Sequence, residues 1–179
     1  MTTVVDNFLP QSYYKKLYDV VTSNTLPYYY QNSINNIEAT EPADFGFNYW
    51  IQNEAGVVHN WLFMPLLYAI KDKFGVGDLR RARIDMTMYN PDAYAHTPPQ
   101  DYTDNHFTAI YYLNDREGPT NIYNETEPSD NYTFDKIVSP VANRLVGFNG
   151  KQMHAGYSPS KHQCRILINA NYEARTASS

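Results

Sequence analysis

The chain has a single cysteine, Cys164, in 179 residues. No intrachain disulfide can staple it, and a reducing compartment suits it. Cys164 itself reads as a small apolar residue on a strand. Long apolar runs are also missing. No stretch approaches the roughly 18 residues needed to span a bilayer, and Met1 to Phe8 lack the basic region and apolar stretch of a signal peptide. The expectation is a cytoplasmic protein with no membrane partner. There is no basic surplus either: the formal net charge is -5 and the pI is near 5.4. That argues against a nucleic-acid partner, which would need a clustered basic face for the phosphates. The one dense basic run, Arg80-Arg81-Ala82-Arg83, enters a predicted strand and reads as solvated edge residues or partners for local carboxylates. No repeat, low-complexity segment or dividing linker appears, so residues 1–179 read as one domain.

What the chain has in quantity is tyrosine. Seventeen tyrosines and 15% aromatic content favour a sheet-rich core, because aromatic side chains fit pleated surfaces. Hydrophobic content of 42% and a mean hydropathy of -0.58 mark a globular chain large enough to bury a core.

The periodicity divides the chain near Leu79. Before it, residues 9–21 carry Tyr13, Leu17, Val20 and Val21 at helical spacing, with Pro10 near the start where proline is tolerated. A second helix is predicted over 64–74, with Pro65 in its first turn and Gly75 after its end. Residues 26–30 and 45–51 are strand-like. From Leu79 on, short strands alternate with turn chemistry: 82–89, with Ile84, Met86 and Met88 facing one way, then 108–113, 120–123, 137–138, 144–148 and 165–169. Asn114 to Pro119 is a turn containing Gly118. Short strands without intervening helices predict a sandwich or jelly-roll. The expected class is α+β, with a helix-rich part over 1–78, a jelly-roll core over 79–173 and a tail over 174–179.

The chemistry concentrates at the end of this pattern. His154 follows a strand-like run, and Arg165 opens the next one eleven residues later. Neutral imidazole is a ligand for iron, copper or zinc. Arginine offers a planar, permanently charged fork for a carboxylate. Upstream stand Asp101 and the strand Phe107 to Leu113, with tyrosines at its end. These parts suit a site that holds a metal and an anionic cosubstrate together.

With Phe107-Thr-Ala-Ile-Tyr-Tyr-Leu-Asn-Asp115, the Gly118 and Thr120 turn, and the His154 and Arg165 pair, the chain resembles the iron(II)/2-oxoglutarate-dependent dioxygenases. The likeness is to the prolyl-hydroxylase-like branch, including short phage and marine microbial members, and it runs from about Asp6 to Tyr172. It implies a double-stranded β-helix with N-terminal helices on the major sheet, Fe(II) and 2-oxoglutarate as cofactors, and hydroxylation of a small-molecule or peptidyl substrate. His154 is similar to the distal iron ligand, Arg165 to the cosubstrate clamp, Tyr112 and Tyr89 to cosubstrate-binding tyrosines, and Asp101 to the carboxylate of the family's HxD pair.

The pattern departs from the family at one residue. Pro99 stands where HxD has histidine, within His96-Thr-Pro-Pro99-Gln-Asp101. Three readings stay open. His96 could supply the third ligand; it lies five residues before Asp101, the wrong parity for one strand face, but the prolines can bend the chain. Asp101 and His154 could hold metal weakly with water in the gap. Or iron chemistry has been lost, leaving a degenerate barrel that binds a ligand or peptide, or a structural jelly-roll. His59, His106 and His162 read as surface or loop residues, with His106 a candidate for the border of the pocket.

Overall fold

The computed structural model describes residues 1–33, 45–96 and 101–174. The elements run β1 (Thr3–Val5), α1 (Gln11–Val21), β2 (Tyr29–Gln31), β3 (Gly46–Gln52), a 3-10 turn (Trp61–Phe63), α2 (Met64–Phe74) and β4 (Leu79–Met88). There follow β5 (His106–Tyr112), β6 (Thr120–Tyr123), β7 (Phe134–Val138), β8 (Arg144–Asn149), β9 (His154–Gly156) and β10 (Cys164–Glu173). Pro65 sits in the first turn of α2, and Gly75 closes it in the left-handed conformation at φ 61°, as glycine without a Cβ can. The three-residue strands β1 and β9 are too short to show a period, and the sequence did not announce them.

The strands form two antiparallel sheets, one of seven strands in the order β1-β8-β5-β10-β4-β3-β2 and one of three in the order β7-β6-β9. The predicted strands over 82–89, 108–113, 144–148 and 165–169 lie in the larger sheet, in the order β8-β5-β10-β4. The architecture is mostly β with few helices.

Alternation along each strand separates two environments. On the outer face, Ala82, Ile84, Tyr111, Leu145, Ile166, Ile168 and Tyr172 pack with Leu17 and Val21 of α1 and Leu66, Leu67 and Ile70 of α2. Each fully buried aliphatic side chain here contributes about 1.5–3 kcal/mol of transfer free energy. Between the sheets a smaller cluster joins Ile110, Tyr112, Val146, Phe148 and Leu167 of the large sheet to Ile122 and Val138 of the small one. This cluster fills only one end of the space between the sheets. The other end is lined by the polar faces of β3, β4 and β10, where Asn48, Arg81, Arg83, Asp85 and Asn169 point inward together. No described helix is long and apolar enough to cross a membrane.

Candidate active site

A cavity of about 680 Å³ opens between the sheets. Arg165, at the start of β10, lines it with 3% of its surface exposed. Its Nη2 donates to Thr120 Oγ1, while Nε is buried with no hydrogen-bond partner among the described residues. Its guanidinium lies 5.7 Å from the centre of the Tyr112 ring. No carboxylate pairs with it among the described residues. The neighbouring strand β9 leaves room for this arrangement at Gly156, where an added Cβ would stand 2.7 Å from Arg165 Nη1. A side chain at 156 would push the guanidinium aside.

Tyr112 is placed differently from the sequence expectation. It is wholly buried and is not part of the cavity lining; its hydroxyl donates to Thr120 Oγ1 at 2.7 Å. Thr120 accepts from both Tyr112 and Arg165, which leaves its own O–H to donate elsewhere. Tyr112 acts on the cavity through Thr120. Tyr89 stands beyond the end of β4, 49% exposed and away from the cavity lining.

His154 opens β9. Its Nδ1 lies 3.1 Å from the Gln152 carbonyl oxygen, which can only accept, so Nδ1 carries the proton and Nε2 keeps its lone pair in the neutral ring. That Nε2 is 3.8 Å from Asp101 Oδ2. Phe148 packs against the ring at 5.1 Å and fixes its tilt. Such restraint of ring and tautomer is what a ligating imidazole needs.

Asp101 receives Arg81 Nη2 on Oδ1 at 2.9 Å and Asn171 Nδ2 on Oδ2 at 2.9 Å. Burial alone would raise its pKa, but His154 when protonated, Arg81, the Asn171 hydrogen bond and Arg83 outweigh it and hold the carboxyl below the usual range. It is a carboxylate at neutral pH. Arg81 is fully engaged, since it also bonds Glu54 at 2.9 Å and Asn171 at 2.9 Å and stacks on Tyr102 at 4.7 Å. The sequence reading of Arg81 as a partner for local carboxylates thus holds, but it and Arg83 are inside the molecule, lining the cavity rather than solvated at an edge.

His96 also reaches the cavity wall, buried, with its Nε2 3.2 Å from Ser158 Oγ and its backbone N–H donating to the Gly156 carbonyl. Among the described residues no three His, Cys, Asp or Glu side chains gather closely enough to hold an ion, so His96 does not complete a triad with Asp101 and His154. Pro99 lies outside the described residues. His106, read from the sequence as a surface or loop residue, is buried at the start of β5 under Gly150, where an added Cβ would meet its ring. It is not part of the cavity lining.

Sequence reasoning missed most of the polar wall: Asn48, Arg83, Asp85, Thr120 and Asn169. The alternation of 81, 83, 85 and 87 on β4 was the available signal. Asp85 is buried beside Arg83, whose Nε donates to Oδ2 at 3.0 Å. Burial pushes the Asp85 carboxyl above its ordinary range, and Arg83 offsets only part of that.

No family model and no curated protein sequence matches the chain. Solved structures do. An oxidoreductase of the 2OG-Fe(II) oxygenase family from Burkholderia pseudomallei superposes with a TM-score of 0.71 at 12% identity, over 99% of this chain and 87% of that one. A Trichoplax adhaerens prolyl hydroxylase, in complex with a hypoxia inducible factor peptide fragment, gives 0.67 at 14%, over 97% and 83%. A Pseudomonas putida prolyl-4-hydroxylase gives 0.60 at 15%, over 97% and 92%. The chain shares their fold. The epimerase SnoN, with Fe3+ and alpha ketoglutarate, and HygX of Streptomyces hygroscopicus, with nickel and 2-oxoglutarate, are similar at 10% and 11% identity.

The residues present fit the two groups these neighbours hold to different degrees. The orphaned Arg165 Nε beside a free Thr120 hydroxyl suits a carboxylate. His154 Nε2 and Asp101 Oδ2 suit a divalent ion as a pair, since bonds of about 2 Å from each can meet across 3.8 Å.

Proposed function

We propose that this protein is an oxidoreductase of the Fe(II)/2-oxoglutarate-dependent type, built on a double-stranded β-helix. In this reading Arg165 and Thr120 hold the far carboxylate of 2-oxoglutarate, and His154 with Asp101 holds the metal. The observation that carries the reading is Arg165. A buried guanidinium without a carboxylate partner among the described residues is costly, and here it faces a cavity that also contains a carboxylate and a lone-pair imidazole in bridging reach. Gly156 and Thr120 complete a cradle for an anion.

The chain's own residues would do the following. Arg165 fixes one end of the cosubstrate by a charge-assisted fork. Thr120, oriented by Tyr112, donates a further hydrogen bond. Gln152 holds the His154 tautomer, and Asn171 and Arg81 hold the Asp101 carboxylate. Ferrous iron, when bound, supplies oxygen activation coupled to oxidative decarboxylation of 2-oxoglutarate. Substrate oxidation would take place in the remaining cavity, on a small-molecule or peptidyl substrate.

A second reading is a metal-free barrel that binds a dicarboxylate. It is favoured by the Arg81 guanidinium on Asp101, which already neutralises the carboxylate, and by the two-donor set among the described residues. Anaerobic titration with Fe(II) and 2-oxoglutarate separates the two. The oxygenase reading expects 2-oxoglutarate to bind by calorimetry and Fe(II) to add a weak visible charge-transfer band. Binding of 2-oxoglutarate with no band and no iron uptake supports the metal-free barrel. No binding of either refutes both.

A further inference from the structure

Asp101 does not face a metal alone, because Arg81 comes with it. The three guanidinium nitrogens of Arg81 each donate to a different residue: Nη2 to Asp101 Oδ1, Nη1 to Glu54 Oε1 and Nε to Asn171 Oδ1, all at 2.9 Å. Tyr102 covers the guanidinium, its ring 4.7 Å from Arg81 and 5.1 Å from Arg80, and Arg80 is gripped by both oxygens of Asp104. The Tyr102 hydroxyl donates to the same Glu54 oxygen that Arg81 uses, at 3.3 Å. Glu54 stands at the rim, with 59% of its side chain exposed.

The register explains why this fork controls the whole carboxylate. Asn171 of β10 is directly opposite Arg81 of β4 on one side and Thr108 of β5 on the other. Arg81 bonds Oδ1 itself and reaches Oδ2 through Asn171, whose Nδ2 donates to Oδ2 at 2.9 Å and to Thr108 Oγ1 at 3.0 Å. Oδ2 is also the oxygen that faces His154 Nε2. Two effects on a divalent ion then compete. A fixed carboxylate is already placed to ligate, which favours the ion. A permanent positive charge bonded to that carboxylate draws on the same negative charge and repels a dication. Asn171, wholly buried and tied to Thr108, holds the carboxylate without help, so what Arg81 alone adds is charge. The Arg81 and Asp101 side chains are 14% and 6% exposed, and salt screens such a pair only weakly. The repulsion wins.

We propose that Arg81 is a positioning residue that acts through Asp101 to keep the site's affinity for a divalent ion low, and that Glu54 moderates this by sharing the Arg81 charge. The inference rests on the reading of His154 and Asp101 as the metal-holding pair. It gives that reading a sign: the site takes up its ion against a resident cation.

The test is calorimetric titration of the full chain with Ni(II), without 2-oxoglutarate, at about pH 8, where protons no longer compete for carboxylates or imidazole. His154→Ala identifies the heat that belongs to this site. Arg81→Met should tighten Ni(II) binding on the order of tenfold, because a charge near the ion is removed. Arg81→Lys keeps the charge and should stay within about threefold of the wild type. Glu54→Gln keeps an oxygen for the Arg81 and Tyr102 donors but loses its charge, and should loosen Ni(II) by about threefold after screening at the rim. A residue that merely props the site would lower affinity when removed and could not raise it. The proposal is overturned if Arg81→Met binds no tighter than the wild type, or if Arg81→Lys tightens binding as much as Arg81→Met. Should Arg81→Met fail to fold, Glu54→Gln decides, and an unchanged affinity there overturns the proposal. If neither the wild type nor any folded variant takes up Ni(II), the metal reading falls and this inference falls with it. Failure of the inference alone looks different: Ni(II) binds, with an affinity that ignores the charge at positions 81 and 54.

Discussion

Replacing Arg165 by methionine should move stability and affinity in different directions. The side chain is 3% exposed, so its charge is largely out of water in the empty protein. What it gains there is one hydrogen bond to Thr120, worth about 1.5–3 kcal/mol for a charged donor, and a contact with the Tyr112 ring at 5.7 Å, worth about 0.5–2 kcal/mol. Against these stands a desolvation cost of several kcal/mol for an ion. Methionine fills similar length without the charge, so Arg165→Met should be neutral or stabilising by about 1–2 kcal/mol in the empty protein. Its affinity for 2-oxoglutarate should fall by about 3 kcal/mol, roughly a hundredfold, because the charge-assisted fork is gone. Urea unfolding without ligand and calorimetry with 2-oxoglutarate measure the two quantities on the same samples. A variant that loses stability while keeping its affinity within a few-fold would show that Arg165 is a structural cation and refute the clamp.

Three further outcomes are expected. Gly156→Ala places a Cβ 2.7 Å from Arg165 Nη1 and should weaken 2-oxoglutarate binding by about 1 kcal/mol or more, since the guanidinium must move; unchanged calorimetry would contradict the cradle. Asn143 has φ 62°, and its side chain bonds Leu9 N, Leu9 O and Tyr111 Oη, so Asn143→Ala should cost about 3 kcal/mol in chemical denaturation from lost buried hydrogen bonds and left-handed strain. Glu117 is desolvated, but hydrogen bonds from His162 and from the Lys161 and His162 amides outweigh this and lower its pKa to about 2. A depressed carboxylate stabilises above its unfolded pKa and loses that stability as pH falls through the folded value. The stability gap between wild type and Glu117→Gln should therefore be about 1 kcal/mol at neutral pH, after screening at this surface site, and should shrink below about pH 4.5 toward pH 2; a gap that widens on acidification would refute the pairing.

Much of the frame was legible in the sequence because it depends on local chemistry. Pro65 and Gly75 bracket α2 as their backbone preferences demand. The alternation of Ile84, Met86 and Met88 predicts a strand with one apolar face, and Ile84 and Met86 do pack into the cluster that includes the helices. The spacing of His154 and Arg165 named two residues that line one cavity, and Asp101 joins them there. A side chain's neighbours across strands are another matter. Tyr112 and Thr120 are eight residues apart with a turn between them, and only the packing of the small sheet on the large one decides that Thr120 lines the cavity while Tyr112 supports it from behind. Tyr89 follows the end of β4, and nothing local says that it turns outward.

The sequence by itself determined the periodicities, and through them the helices, most of the strands and the alternation along each strand, because those follow from backbone geometry that every residue carries with it. Only the tertiary structure decided which inward residues share a wall. Asn48, Asp85 and Asn169 come from strands far apart in the chain, and their register across β3, β4 and β10 is fixed by the packing of the whole sheet. Arg81 was one more arginine in a basic run until the fold set it between Glu54 and Asp101. Local preference is additive along the chain, whereas a site is a meeting of distant residues, set by the core that holds the strands in place.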